Sequence, residues 1–294
     1  MGHWGWLIII YLFLGGLGAG AYLTSFAAEK GWLGQDTRLK HAGYYLAAPC
    51  VAVGSLILVA DLGISYTEIW KIFAMFSNIN SVMSWGIYIL TFFIVVGIIC
   101  IYYTWKGLKI PTVWSYFGAI LALGTGIYTG VLLSVVNAVP FWNTFLMPVL
   151  FVVSALSTGL AATSLLSHFT EKSQANEEVN ANKTHLVLVL LEIILVVLLL
   201  AFAAAGINGR VAADSVSSIL TGTLALPFWL LLIVIGLIIP LIYYYTKTST
   251  KNLTKTDGDK LFATISDIAI LIGGLTLRAV VIFSALPIWY RITG

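Results

Sequence analysis

Four ionisable side chains lie inside long apolar stretches of this sequence: Asp61, Glu192, Asp267 and Arg278. A charge in such surroundings is costly unless it is paired, so groups of this kind mark proton paths or buried structural pairs. Asp61 has two interpretations. It relays protons to one surface, or it has a structural function as a helix cap or as the partner of Arg278. For Glu192 and Asp267 we favour structural pairing over a separate proton path. All four remain the candidates for proton transfer.

A tyrosine set between glycines is the first candidate for ligand binding. Tyr128 stands in LGTGIYTG, where Gly126 and Gly130 form a GxxxG face. Gly16 and Gly20 form a second such face near the N-terminus. Faces of this kind let a neighbouring helix or a flat ligand approach closely, and a phenol beside one can donate a hydrogen bond to a ring carbonyl. The pattern predicts a quinone site with Tyr128 as the donor and the glycines beside the ring.

A quinone needs an apolar slot, one donor for each carbonyl and a nearby group that exchanges protons. His3, which titrates near neutral pH, and Asp61 are expected on the same side of the membrane as Tyr128. We therefore predict these three as the catalytic set. One difficulty is depth, because Tyr128 is nine residues before Asn137, or about 14 Å below that expected helix end, whereas His3 begins its helix.

Metal and haem sites are not expected in this chain. Cys50 and Cys100 lie in apolar stretches without the spacing of a zinc or iron–sulfur site. A membrane haem would need paired histidines within the bilayer, and the four histidines fall near the ends of predicted helices: His3, His41, His168 and His185. Any redox function must therefore use a diffusible carrier.

The composition indicates an all-α membrane protein. Of 294 residues, 60% are hydrophobic and 9% are charged, where soluble domains have about 25% charged residues. Apolar runs long enough to cross a membrane, without strand-like alternation, indicate helices. We predict eight spans, at 4–28, 41–64, 82–104, 112–137, 145–168, 186–206, 222–246 and 262–285. We expect the first apolar run to remain as a span, since it lacks the basic start of a cleavable signal.

The loops carry an uneven distribution of Lys and Arg, 11 on one side against 3 on the other. By the positive-inside rule the richer loops are cytoplasmic, so both termini are predicted outside. The outer loops 62–81, 138–144 and 207–221 are nearly uncharged and rich in aromatics. Aromatic residues are common at membrane interfaces, but surface of this kind also favours protein docking. We predict that these loops bind an extracytoplasmic partner.

A faint repeat relates the two halves of the chain. Leu17, Gly20, Thr24 and Ser25 recur at a shift of 139 as a second set, Leu156, Gly159, Thr163 and Ser164. Small residues recur by chance in membrane helices, but a parallel duplication would give two four-helix bundles, 1–140 and 141–294. Setting Gly274 against Gly126 pairs Thr276 with Tyr128, and shifting His3 gives Trp142. We therefore expect one quinone site, in the first bundle, and a mainly structural second bundle.

Five segments, in order along the chain, resemble the NrfD / polysulfide reductase membrane-subunit family. They are HWGWLIIIYLFLGGLGAGAYL in the first span, DLG at 61–63, SVMSWGIYIL at 81–90, GIYTG at 126–130 and LRAVV at 277–281. The resemblance implies a haem-free protein of eight or nine helices that binds a quinone, menaquinone in preference to ubiquinone. It also implies a ferredoxin-like iron–sulfur partner, here on the outer loops, which attaches a catalytic subunit of the molybdopterin type.

The resemblance also assigns residues. The family's ring-binding tyrosine falls on Tyr128, its N-terminal histidine on His3 and its proton-transferring acid on Asp61. The family's asparagine three residues before that histidine has no counterpart in this sequence. The expected function is electron exchange between quinone and an iron–sulfur partner in the cell membrane, with no nucleic-acid binding. Two alternatives stay open: a secondary transporter, favoured by midplane acids and a repeat, and a purely structural anchor.

Overall fold

The computed structural model describes residues 5–34, 39–61, 81–170, 178–249 and 257–289, without the side chains of 168–170, 178, 179 and 257. All regular structure in these residues is helical. Eight helices are long and apolar enough to cross a membrane, which confirms the predicted number and fold class. His3 and most of the predicted docking loop 62–81 lie outside the described residues.

The spans agree with the predicted ones to within a few residues at most ends. In chain order they are Trp6–Glu29, Leu39–Asp61, Val82–Trp105, Thr112–Ser134, Leu146–Thr170, Glu178–Ala204, Pro227–Ser249 and Asp257–Phe283. With 23 to 27 residues each, they reach about 35–40 Å, enough for a hydrocarbon core of about 30 Å.

Local sequence explains several boundaries. Ser81 caps the third span by accepting a hydrogen bond from the Met83 backbone N–H at 3.2 Å. Pro111 directly precedes the fourth span, where its missing N–H costs nothing. Gly31 and Gly206 follow the ends of the first and sixth spans with φ of 78° and 69°, a left-handed conformation that glycine adopts without a steric penalty.

Three features differ from the prediction. The sixth span begins at Glu178, eight residues earlier than expected, because polar residues continue its helix beyond the apolar run. A short amphipathic helix, Arg210–Leu220, occupies most of the predicted loop 207–221. Residues Pro227–Ile238 of the seventh span are π-helical. Hydropathy reports neither an interfacial helix nor a change in helix type.

The first span is at the centre of the packing. Buried residues make up 72% of its most apolar stretch, against 33% in the sixth and seventh spans. It packs against the second, fourth, fifth and eighth spans. Its crossing with the fifth span is formed by Gly20 and Gly159: a Cβ added to Gly159 would lie 2.1 Å from the Gly20 carbonyl carbon. Gly236 and Gly273 form a similar crossing between the seventh and eighth spans.

Candidate functional site

The phenol of Tyr128 lies between the first, third and fourth spans. It is 4% exposed, and its ring lies directly over Gly86 of the third span. A Cβ at Gly86 would come within 1.8 Å of Tyr128 Cζ and 2.2 Å of its Oη. The space left by the missing side chain of Gly86 therefore holds the phenol, which points into the protein rather than toward lipid.

A second tyrosine, Tyr11 of the first span, faces the same point. Its side chain is fully buried and its hydroxyl interacts electrostatically with that of Tyr128. The two hydroxyls lie close enough to interact, but no contact of Tyr11 Oη with a described residue meets the geometry of a full hydrogen bond. Sequence reasoning missed Tyr11, because one tyrosine in an apolar run, among 14 in the chain, shows nothing of its partner across the bundle.

The two tyrosines and the glycine share one depth. Tyr11 is five residues from the start of its helix, Gly86 four from the start of its own and Tyr128 six from the end of its own. At 1.5 Å per residue these are about 8, 6 and 9 Å below the predicted outer ends. The fourth span ends at Ser134 rather than Asn137, so Tyr128 is shallower than the sequence indicated. This reduces the depth difficulty raised for His3.

The four glycines predicted beside the ring are used differently. Gly126 and Gly130 face the fifth span, and a Cβ at Gly130 would lie 2.4 Å from Pro148 Cα. Gly20 meets the backbone of the fifth span, and a Cβ at Gly16 would lie 2.6 Å from Arg278 Nη2. Both GxxxG faces are thus occupied by neighbouring spans. In the described residues they allow helices to cross, the other use of such a face, and their contact with a cofactor stays a prediction.

Arg278 is buried near the middle of the protein. It is fully enclosed and donates to Leu12 O at 3.2 Å, to Ser154 Oγ at 3.2 Å and to Gly274 O at 2.7 Å. Its guanidinium carbon lies 5.4 Å from the ring centroid of Phe151, and such packing over a ring face favours the cation. Leu12 directly follows Tyr11 in the first span. Tyr11 therefore faces Tyr128, while the backbone carbonyl of the next residue accepts a hydrogen bond from Arg278.

Glu192 of the sixth span faces the same arginine. It is buried, and Arg278, Ser154 and Ser157 are its polar neighbours. No ion pair joins Asp61 to Arg278 within the described ranges, which corrects that alternative. Asp61 is the last helical residue of the second span and is half-buried.

Asp267 belongs to a separate buried cluster toward the predicted cytoplasmic side. Tyr244 Oη donates to Asp267 Oδ1 at 2.5 Å, and His185 Nε2 lies 3.7 Å from the same oxygen. The rings of His185 and Tyr244 are stacked, 4.3 Å apart and parallel to within 1°. The early start of the sixth span places His185, whose side chain is buried, inside that helix rather than at its end. The pairing partners of Asp267 could not be read from the sequence, because they are 82 and 23 residues away.

Another polar cluster, not predicted, lies at the predicted cytoplasmic ends of the first four spans. Glu29 Oε2 accepts hydrogen bonds from Tyr44 Oη at 2.7 Å and from Ser115 Oγ at 3.1 Å. Tyr22 Oη lies 3.3 Å from Cys100 Sγ and donates to the backbone carbonyls of the fourth span. These groups satisfy one another, so the cluster acts as structural cross-linking between spans.

The second half contains a small apolar cavity at a position that corresponds to Tyr11. Leu150, which stands 139 residues after Tyr11, lines it together with Leu277 and Phe228. Leu277 is the neighbour of Thr276, whose hydroxyl donates instead to Ile272 O of its own helix at 2.8 Å. Where the first half presents two phenols, the second presents Leu150 and a threonine hydroxyl that is bonded within its own helix, and the lining of the cavity offers a ring carbonyl no hydroxyl donor.

The fold and these buried groups define a polytopic helical membrane protein. The chain belongs to the family described as Polysulphide reductase, NrfD, which it matches over residues 2–288. Membership confirms the family resemblance and, with the eight spans, a multi-pass location in the cell membrane.

Three relatives illustrate the similarity. A polysulfide reductase component from Wolinella succinogenes is 28% identical over 310 aligned residues, which cover 96% of this protein and 93% of that one. Protein NrfD of Escherichia coli is 30% identical over 269 residues, with 81% and 83% covered. A selenate reductase subunit from Mesobacillus selenatarsenatis is 22% identical over 327 residues, with 96% and 74% covered. The family supports a membrane-anchor function in an oxidoreductase complex.

Proposed function

We propose that this protein is the quinone-reactive membrane subunit of a respiratory oxidoreductase. The observation that carries the proposal is the pair of buried phenols, Tyr11 and Tyr128, in an otherwise apolar part of the first four spans. A quinone, when bound, supplies two-electron redox chemistry and two carbonyl oxygens that accept hydrogen bonds. The residues fit such a ring, since Tyr11 Oη is a buried donor without a partner among the described residues and an orphaned donor of this kind is costly to leave unsatisfied.

Each residue of the site has a limited task. Tyr128 donates to a ring oxygen, and Gly86 fixes where its hydroxyl sits. The apolar walls of the bundle exclude water, which strengthens that hydrogen bond. Asp61 lies on the predicted outer side and exchanges protons between the site and that surface, while His3 is the second expected proton partner. Menaquinone is the favoured quinone on the family resemblance.

The electron partner is an iron–sulfur subunit docked on the predicted outer side. Support comes from a platform that joins two of the predicted docking loops: Asn208 Nδ2 donates to Pro140 O at 3.2 Å and to Asn143 O at 2.6 Å. The aromatics of loop 138–144 have another use, because Phe141 and Trp142 are buried. Exposed apolar side chains remain beside this platform at Phe145 and Ile207. A molybdopterin-type catalytic subunit would attach through the iron–sulfur subunit.

The proposal is tested by purifying the complex in mild detergent and extracting it with organic solvent. We expect close to one quinone per complex, together with a co-purifying iron–sulfur subunit. A protein that purifies alone, without quinone, and moves a solute across liposome membranes would contradict the proposal in favour of a transporter. Assembly with partner subunits but no quinone and no quinol oxidation would indicate a structural anchor.

A further inference from the structure

We propose that Tyr11 is a second ring-contacting residue, whose hydroxyl converges with that of Tyr128 on a single carbonyl oxygen of the bound quinone. This inference rests on the proposed function and deepens it. It gives the site two donors at one end of the ring rather than one at each end.

The first argument is the exceptional state of the Tyr11 hydroxyl. Three other buried tyrosines have hydrogen-bond partners: Tyr22 donates to backbone carbonyls, Tyr44 to Glu29 and Tyr244 to Asp267. Tyr11 is fully buried, yet its hydroxyl lies only beside that of Tyr128 and makes no contact of full hydrogen-bond geometry in the described part of the chain. Buried polar groups are nearly always satisfied, and an exception calls for an absent partner. A ligand carbonyl supplies an acceptor.

The second argument is convergence. Tyr128 cannot move freely, because its ring fills the space over Gly86. Tyr11 is held in the most enclosed span, with its backbone carbonyl 3.4 Å from the Cβ position of Gly54. The two hydroxyls come from different helices and face one another. An oxygen placed between them and the bundle interior would accept from both, and an acceptor oxygen has two lone pairs for this purpose.

The third argument comes from the other half of the protein. In the second half Tyr11 is matched by Leu150, which lines an apolar cavity. Tyr128 is matched by Thr276, whose hydroxyl donates within its own helix, so neither position offers a free phenol there. Both donors are thus absent from the half in which no ring is proposed to bind, as expected if both belong to the quinone site.

Converging donors predict a specific energetic pattern. When one hydroxyl is removed, the other can still satisfy the oxygen. Each single substitution should therefore cost less than half of the binding free energy that the double substitution costs. Removing both leaves a buried carbonyl without a partner, which is the costly state. The double variant should therefore lose more affinity than the product of the two single losses.

The test is a double-mutant cycle on quinone binding by the purified complex. A water-soluble naphthoquinone is titrated into wild type, Tyr11→Phe, Tyr128→Phe and the double variant, and Kd is measured by calorimetry. We expect Kd to rise by about 5- to 15-fold in each single variant, and in the double variant by more than the product. Tyr22→Phe, the same change on the same helix away from the site, is the matched control and should leave Kd unchanged.

The outcomes separate the two proposals. An unchanged Kd in Tyr11→Phe beside a weakened Tyr128→Phe would overturn the assignment of Tyr11 and leave the proposed function standing. A double variant equal to the product of the singles would overturn convergence on one oxygen. No binding of the naphthoquinone to wild type would contradict the proposed function itself.

A second measurement serves if Tyr11→Phe does not assemble. Photolabelling of the wild-type complex with an azido-naphthoquinone, followed by peptide mapping, should label the peptides that contain Tyr11 and Tyr128. Label confined to the Tyr128 peptide would overturn the assignment of Tyr11. Label on neither would contradict a quinone site in the first four spans.

Discussion

Gly20 of the first span packs directly against Gly159 of the fifth span, its counterpart at a shift of 139 residues. A Cβ at Gly20 would lie 1.8 Å from Ala155 O and 3.1 Å from Gly159 Cα. If a two-fold symmetry axis relates the two halves, equivalent residues can touch each other only close to that axis. The contact therefore supports the proposed parallel duplication of two four-helix bundles, with its axis passing between these glycines along the membrane normal.

Gly20→Ala is expected to disrupt this crossing. The added methyl group would meet backbone atoms, which cannot rotate away, so the two spans must separate at a cost of about 1–3 kcal/mol. The yield of assembled complex and its thermal stability in detergent should both fall. Gly258→Ala is the control, since nothing lies within 4 Å of its Cβ position. Equal stability of the two variants would contradict a tight crossing at Gly20.

Gly86→Ala is expected to impair the quinone site while leaving assembly intact. The Cβ would overlap the ring of Tyr128, and a side chain can shift where a backbone cannot. The hydroxyl then leaves its position, and quinol oxidation should fall by about tenfold or more, as for loss of one hydrogen bond of about 1.5 kcal/mol.

Gly124→Ala is the matched control for Gly86→Ala, because its nearest neighbour, Ile89 Cγ2, would be at 3.5 Å. Its turnover should stay close to that of wild type. A Gly86→Ala complex with full activity would show that the phenol over Gly86 does not contact the quinone.

Arg278→Met is expected to destabilise the protein strongly. It removes the cation that faces buried Glu192 and leaves the carbonyls of Leu12 and Gly274 without that donor. Leaving a buried carboxylate without its neighbouring cation costs free energy, about 3–5 kcal/mol where the two groups are in direct contact. Adding Glu192→Gln should recover part of the loss, because the remaining buried charge is then removed. The melting temperatures of the single and double variants measure this, and a double variant no more stable than Arg278→Met would show that the two groups do not interact.

Quinone binding should raise the thermal stability of the extracted complex. A ligand that binds the folded state at 100 times its Kd adds about 2.7 kcal/mol. A naphthoquinone titration should therefore raise the melting temperature of wild type more than that of Tyr128→Phe at the same concentration. Identical shifts in the two proteins would place the ligand elsewhere.

Most of the helical framework was predictable because the length of an apolar run reports a membrane span directly. The first span from Trp6 and the fourth through Tyr128 follow from hydropathy alone. The helix Arg210–Leu220 does not, because an amphipathic interfacial segment is short and mixed in character. The start at Glu178 was missed for a related reason: a helix continues past the apolar run when its next residues remain good helix formers.

The site was only partly predictable, because function depends on which way each residue faces. Tyr128 was predicted from the glycines around it in the sequence. Of these, Gly126 faces the fifth span, and the glycine under the ring is Gly86, a distant residue on another helix. Tyr11 carries no local signal at all. Sequence gives the depth of a residue in a helix, but the direction in which its side chain points is fixed by helix rotation and packing.

The most direct test of the account is quinol oxidation by the purified complex, comparing wild type with Tyr128→Phe and with the control Tyr22→Phe. The Tyr128 substitution keeps the ring over Gly86 and removes one hydroxyl. We expect turnover to fall by about 5- to 150-fold, the equivalent of about 1–3 kcal/mol, with assembly intact and the control unaffected. Unchanged turnover in Tyr128→Phe would contradict a quinone ring bound at Tyr128.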